Sequence, residues 1–363
     1  MSTHPNSPHH PEFPHTSFSE DHQHWRNYTL ELQEKITQGL LAAAAKGWTP
    51  DDLRHVLGCR INHLLFQVLS LINNTIPPAT RKAWQRQCHA VEEFHLSTAA
   101  LEECVTLLRR LQPLHDHPLL GDPHGVEESN QAFTRLSPEQ RKAHHRILAL
   151  LKKAESTNFE AEANALVAKA QHLRQHYRIE SLGEDSAGDF SPQAQRVYLH
   201  APWIKYQYNL LARIAQVNGC ATMLLTSNGI ATVLGTPDDL RYVTDLFVSL
   251  NRQREHFMRT SPGAHEAAAR GETSAYRRSF MIAYTHRVGQ LLEVASRSAE
   301  GDSALPVLAA RGSAAQHTLS RLFPRSRSLR LSSRHAGGYR DGVVAAQHSH
   351  LRGDLLGIKP MPL

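Results

Sequence analysis

The chain has 363 residues, 40% of them hydrophobic, with a formal net charge of +6 and a pI near 9.2. That length suits two or three domains, and the moderate basic excess permits an anionic partner such as nucleic acid without requiring one. No apolar run is long enough to span a membrane, the polar N-terminus has no signal-peptide core, and Cys59, Cys88, Cys104 and Cys220 contain no C-x-x-C pair that would signal a zinc ribbon or thioredoxin-type site. The expectation is a cytoplasmic protein with no membrane contact, its cysteines buried thiols in a reducing compartment. The 25 histidines add positive charge below neutral pH.

Residues 1–24 are rich in Pro, His and Ser and bury too little apolar surface to fold alone, so they are expected to be a disordered tail. Its six histidines (His4, His9, His10, His15, His22, His24) lack an identifiable supporting ligand, and no metal site is assigned to them. Residues 25–112 read as an all-helical domain. A first helix ends at Gly47, and Thr49 caps the next, with Pro50 at its first position and Asp51 and Asp52 in its first turn. The stretch GWTPDDLRHVLGCRINHLLFQVL has a helix-turn-helix rhythm with Gly58 at the turn. Its second helix would present Arg60, His63, Gln67 and Ser70 to phosphates and base edges. The plainer reading is a bent helix whose Leu64, Leu65, Val68 and Ile72 face a core. Two more helices are expected, over about 79–89 and 97–111. Residues 113–135 read as a linker in which His115, Asp116 and His117 face water.

Residues 136–180 read as two antiparallel helices. Ser137, Pro138 and Gln140 form a capping box with proline at the first helical position, and Ile147, Leu150, Leu151 and Ala154 make one apolar stripe. Thr157 and Glu160 form a second capping box, followed by Ala163, Leu166, Ala170, Leu173 and Tyr177 on one face. The structural caps are thus Ser137, Thr157 and Glu160.

The run KKAESTNFEAEANALVAKAQHLRQHYRIE resembles domain of unknown function 2786, a short helical hairpin found in bacteria and their phages. Leu150, Leu151, Lys153, Ala154, Ser156, Thr157, Asn158, Glu160, Glu162, Lys169, Ala170, Gln171 and Leu173 carry the resemblance. It implies a hairpin and a bacterial or phage setting, and it offers no catalytic residue.

A second linker, 181–200, leads to an α+β domain over 201–320. A helix is expected from Trp203 to Val217. Two short strands, Cys220–Leu225 and Ile230–Leu234, flank Ser227-Asn228-Gly229, the strongest hairpin signal in the chain. Gly235-Thr236-Pro237 opens a helix and is not a P-loop, since no G-K-[ST] follows. The segment around Gly263 reads as a loop, and Tyr276–Ser298 as a helix. This arrangement resembles the uncharacterised companion of the hairpin family, domain of unknown function 7168. The expected fold class is therefore mainly α, with an all-helical N-terminal domain and a small α+β C-terminal domain built of one β-hairpin plus helices.

Residues 321–363 hold an Arg-rich segment and a last helix from about Tyr339. Arg325, Arg327, Arg330 and Arg334 are separated by serines with no acid among them. Guanidinium forks suit phosphates and serines donate to them, so these four are the candidate nucleic-acid contacts. Phe323 and Tyr339 flank the run and no aromatic interleaves it, so base stacking is expected to be minor. No Ser/His/Asp set, paired carboxylates, zinc signature or nucleotide fingerprint stands out, and no catalytic residue, cofactor or metal is assigned. The favoured reading is a non-catalytic nucleic-acid-associated protein. The alternatives are a protein–protein interaction module built on the hairpin, and an enzyme whose C-terminal site is not visible in the sequence.

If the hairpin is structural, Thr157→Ala should cost about 1 kcal/mol and Leu151→Ala about 2–5 kcal/mol in thermal melts. Unchanged melts combined with a lost partner protein would make the motif an interface instead.

Overall fold

Side chains of Thr49, Ser97, Thr236 and His335 cap four of the described helices. The computed structural model describes residues 17–89, 96–120, 192–226, 228–299, 305–332 and 334–349, with isolated positions 142, 146, 149 and 150. Among them lie eleven α-helices and one three-stranded antiparallel sheet, so the fold is mainly helical with its strands in the C-terminal half. The chain divides into two units, Met1–Leu114 and His115–Leu363.

In the first unit, α1 (Ser17–Ala45) buries Leu32, Ile36, Leu40, Ala43 and Ala44 along one stripe. It begins inside the stretch expected to be disordered, because extending an existing helix costs far less than starting one. Gly47, at φ 88°, ends it. The chain then folds back: the Trp48 indole N–H donates to the Gln112 carbonyl (2.8 Å), and the Leu114 N–H to the Lys46 carbonyl (2.9 Å). Thr49 and Asp52 form a capping box for α2 (Pro50–Leu57), in which the Thr49 N–H donates to the buried Asp52 carboxylate at 2.7 Å. After Gly58 (φ 85°) and a 3₁₀ turn at Cys59–Ile61 comes α3 (Asn62–Leu69). Helix α4 (Pro78–Gln87) supplies the buried Trp84, whose indole N–H donates to the Trp48 carbonyl at 2.9 Å. Ser97 caps α5 (Thr98–Arg109).

Two expectations fail here. His63 is buried beside Leu64 and Leu65, so it cannot sit on an exposed recognition face with Arg60, Gln67 and Ser70, which are exposed. Cys59 is exposed on the turn after Gly58, whereas Cys88, Cys104 and Cys220 are buried. Burial pushes the Cys88 thiol up to about 11.

In the second unit, β1 (Gln193–Tyr198), β2 (Ala221–Leu224) and β3 (Ile230–Gly235) form the sheet in the order β1-β3-β2. The β2–β3 hairpin is the one its turn residues announce, with Gly229 at φ 90°. Strand β1 arises from residues expected to be linker. Its buried positions, Ala194 and Val197, are three apart, so the period-2 signal of a strand is missing. The central strand β3 is buried at every position, and β1 supplies the hydrogen bonds along its other edge.

Helices α6 (Ile204–Val217), α7 (Pro237–Thr260), α8 (Pro262–Ala269) and α9 (Thr273–Ala299) precede α10 (Leu305–Leu322) and α11 (Ala336–Gln347). Leu210, Leu211, Ile214, Val243, Leu250, Phe280 and Tyr284 are among the core residues they bury. Thr236 caps α7, accepting the Asp239 N–H at 3.2 Å, and a Cβ at Gly235 would crowd the Cys220 sulfur at 2.6 Å. The Gly-Thr-Pro run is therefore a cap and a close approach. The segment at Gly263 is the helix α8 rather than a loop.

Asp116 does not face water. Leu119 and Leu120 pack against the cluster of Ala194, Ala221, Leu234, Ala315 and Leu319. This draws Asp116 under β1, where Arg196 grips it with two bonds: Nε to Oδ2 at 3.0 Å and Nη2 to Oδ1 at 2.6 Å. Both side chains are buried. Burial, then the Arg196 cation, lower the pKa of the neighbouring His117. Arg254 on α7 is buried too, but its Nη1 reaches only the Tyr206 carbonyl at 3.4 Å and Glu255 lies 3.9 Å from Nη2. Burial lowers its pKa to about 10.

Asp116→Ala removes the carboxylate from a buried guanidinium and should cost about 3–5 kcal/mol in urea unfolding. An apolar replacement of both Asp116 and Arg196 should recover most of that loss. A single variant as stable as the parent would show that the pair is not holding the 115–120 segment to the sheet.

Candidate functional site

The four candidate arginines lie between α10 and α11, in a segment with no regular secondary structure whose two ends are both held. At the first end, the Phe323 N–H donates to the Leu319 carbonyl at 2.9 Å. The Phe323 ring packs on the cluster containing Ala315 and Leu319 and meets the His115 ring edge-on at 6.3 Å. At the other end stands His335. Its backbone N–H donates to Ser279 Oγ at 2.8 Å, and its Nδ1 accepts the Gly338 N–H at 3.0 Å, which caps α11. Its Nε2 lies 3.5 Å from Glu272 Oε2, and its ring meets Tyr276 edge-on at 5.4 Å.

Helix α11 is in turn fixed against α9. Gly338 and Gly342, one turn apart, let the two backbones touch: a Cβ at Gly338 would collide with the Tyr276 carbonyl, and one at Gly342 with the Phe280 carbonyl. Between them, buried Asp341 accepts the Gly263 N–H at 3.0 Å and the Tyr276 hydroxyl at 2.8 Å, both on Oδ2. One carboxylate oxygen thus ties α8, α9 and α11 together. Burial, reinforced by the hydrogen bond to Asp341, raises the Tyr276 pKa and keeps its hydroxyl a donor. Donors and acceptors in this cluster are engaged with one another, so its chemistry is that of an anchor.

Arg325, Arg327, Arg330 and Arg334 are exposed. Among the described residues none of the four makes an ion pair or a hydrogen bond, and no acid occurs from 321 to 335. Their guanidinium forks are free to take an anion. Arg340, with its side chain 78% exposed, lies 3.6 Å from Asp341 Oδ1. Among the described residues no group of three or more His, Cys, Asp or Glu could hold a metal, and no helix is long and apolar enough to cross a membrane.

The structure brings the four arginines onto one anchored segment. Ser137, Thr157 and Glu160 lie outside the described residues; of the hairpin stretch, Lys142, Arg146, Ala149 and Leu150 are helical. The anchor of Glu272, Tyr276, His335 and Asp341 was not read from the sequence. The one available signal was the Gly338-x-x-x-Gly342 spacing, which marks a close helix–helix approach.

Residues 142–181 match the family described as "Protein of unknown function (DUF2786)". No curated protein and no solved structure matches the chain.

Asp341→Ala leaves the Tyr276 hydroxyl and the Gly263 N–H buried without this acceptor. The loss should be about 1–3 kcal/mol per donor, read as a lower melting temperature. An unchanged melt would mean that Asp341 does not join the three helices.

Proposed function

We propose that the protein is a non-catalytic nucleic-acid-associated binding protein, and that Arg325, Arg327, Arg330 and Arg334 are its phosphate contacts. The observation that carries this reading is the combination of four exposed arginines without ion pairs, no acid in their segment, and firm attachment at both ends. A charged loop that served only stability would be expected to pair its cations with neighbouring carboxylates, as Arg196 and Arg213 do. Anchoring also lowers the ordering cost of binding, because the segment has less freedom to lose. An extended chain advances about 3.3 Å per residue, so arginines two to four residues apart are spaced at about two to four times the roughly 3.4 Å axial spacing of phosphates along a strand and can each meet a different phosphate. The net charge of +6 favours approach of a polyanion over the whole surface.

On the same reading, residues 201–320 are the uncharacterised companion domain of the hairpin family. The free thiols of Cys59, Cys88, Cys104 and Cys220 suit a reducing compartment, and we infer a cytoplasmic location.

Fluorescence anisotropy with labelled oligonucleotides tests the proposal. Log affinity should fall with log salt at a slope of roughly −3 to −4, the value for four phosphate contacts. Replacing all four arginines by alanine should flatten that slope and leave the melting temperature unchanged, since the side chains are exposed. Absence of binding by the parent at about 50 mM salt, where such contacts are strong, overturns the reading and turns attention to a protein partner for the 142–181 segment.

A further inference from the structure

Beside the arginine segment stands an exposed aromatic ring. Tyr339 lies in the first turn of α11 and is 48% exposed. Its N–H donates to the His335 carbonyl at 3.0 Å, which puts it one helical turn beyond His335 and Arg334. Its own neighbour is the exposed Arg340. Among the described residues the Tyr339 ring has no ring partner and its hydroxyl no hydrogen bond. The other large aromatic near the segment, Phe323, is half-buried in the cluster under α10 and is not available.

The ring is held on a fixed support. Gly338, Asp341, Gly342, Ala345 and Ala346 bury the opposite face of α11, and the glycine seam and Asp341 lock that face to α9. Tyr339, Arg340 and Val344 are left on the solvent side. A half-exposed tyrosine normally gains from burying its ring. Among the described residues no ring partner or hydroxyl hydrogen bond engages it, and the next residue is the exposed Arg340. The N-terminus of α11 adds its positive end and is capped by the His335 imidazole, whose Nε2 lies 3.5 Å from the Glu272 carboxylate. The one acid in the first turns, Asp341, points into the core toward Tyr276 and Gly263.

We infer that this surface binds single-stranded nucleic acid, with Tyr339 stacking on a base while the arginine segment follows the phosphates. The inference rests on the reading of those arginines as phosphate contacts and deepens it. In a duplex every base face is already covered by its neighbours, and proteins reach only base edges in the grooves. In a single strand the faces are open, and an aromatic platform beside a basic track is how sequence-tolerant binders hold them. The sequence pattern alone leads to the opposite expectation, that stacking is minor, because Tyr339 follows the arginines rather than interleaving with them. The helical turn closed by the Tyr339 N–H on the His335 carbonyl keeps the ring one turn from the end of the arginine segment, and the exposed Arg340 follows it in the chain.

The test uses the full chain, a labelled oligo(dT) strand, and a mixed-sequence duplex of equal length, followed by anisotropy. The parent should prefer the single strand. Tyr339→Ala should weaken single-strand binding about ten- to a hundred-fold with little effect on the duplex, and Tyr339→Phe should retain the parent's affinity. Tyr339→Leu keeps apolar bulk without a π face and should behave like Tyr339→Ala, which separates stacking from any effect on folding. Equal affinity for strand and duplex, or a Tyr339→Leu variant that binds the strand like the parent, overturns the single-strand inference while leaving the phosphate reading intact. Binding to neither probe, or binding indifferent to the loss of all four arginines, overturns the phosphate reading itself.

Discussion

The seam between α9 and α11 is the constraint on which the candidate surface depends. Two glycines a turn apart bring the backbones into contact, and at such a distance any polar group between them must find a partner or be excluded. Asp341 meets that demand by accepting a backbone N–H from α8 and a hydroxyl from α9 on one oxygen. The same seam sets the position of His335, which caps α11 and bonds to Ser279 on α9. The end of the arginine segment is therefore placed by the His335 contacts to Ser279 and Gly338. The basic residues can stay free of ion pairs because other contacts hold the segment.

Buried charge is handled in two ways in this unit. Arg196 is paired with Asp116 in fork geometry, which satisfies both partners and fastens the 115–120 segment to the edge strand. Arg254 has no such carboxylate; its nearest, on Glu255, is half-exposed at 3.9 Å, and its main contact is a helix carbonyl. Burial accordingly lowers its pKa. The arginines of the 325–334 segment differ from both: they are exposed and, among the described residues, make no ion pair.

How much was legible follows from the range of each signal. Caps are local: the Thr49-Pro50 cap is legible because a cap involves residues three apart, and the helix starts near Ser97 and after Gly235-Thr236-Pro237 are legible as starts, their caps being shown by the structure. The Asn228-Gly229 turn was legible for the same reason. The run of arginines without acids was visible as composition, and its exposure followed from that. Strand β1 was not visible, since Gln193–Tyr198 lacks alternation and becomes a strand only because β3 offers it an edge. Helix α8 was not visible either: Gly263 and its neighbours signal a loop until a carboxylate from α11 accepts the first-turn N–H.

The sequence by itself determined the helical class, the one tight hairpin, most helix starts and the location of the basic segment, because these depend on backbone preferences and charge within a few residues. Only the tertiary structure decided which polar groups are buried together. Asp116 and Arg196, 80 residues apart, and Tyr276 and Asp341, 65 apart, meet through packing that no local pattern encodes. Tertiary packing also decided that Phe323 is withdrawn into a core while Tyr339 remains outside. Both are aromatic residues beside the same arginines, and what separates them is which side of its own element each one occupies.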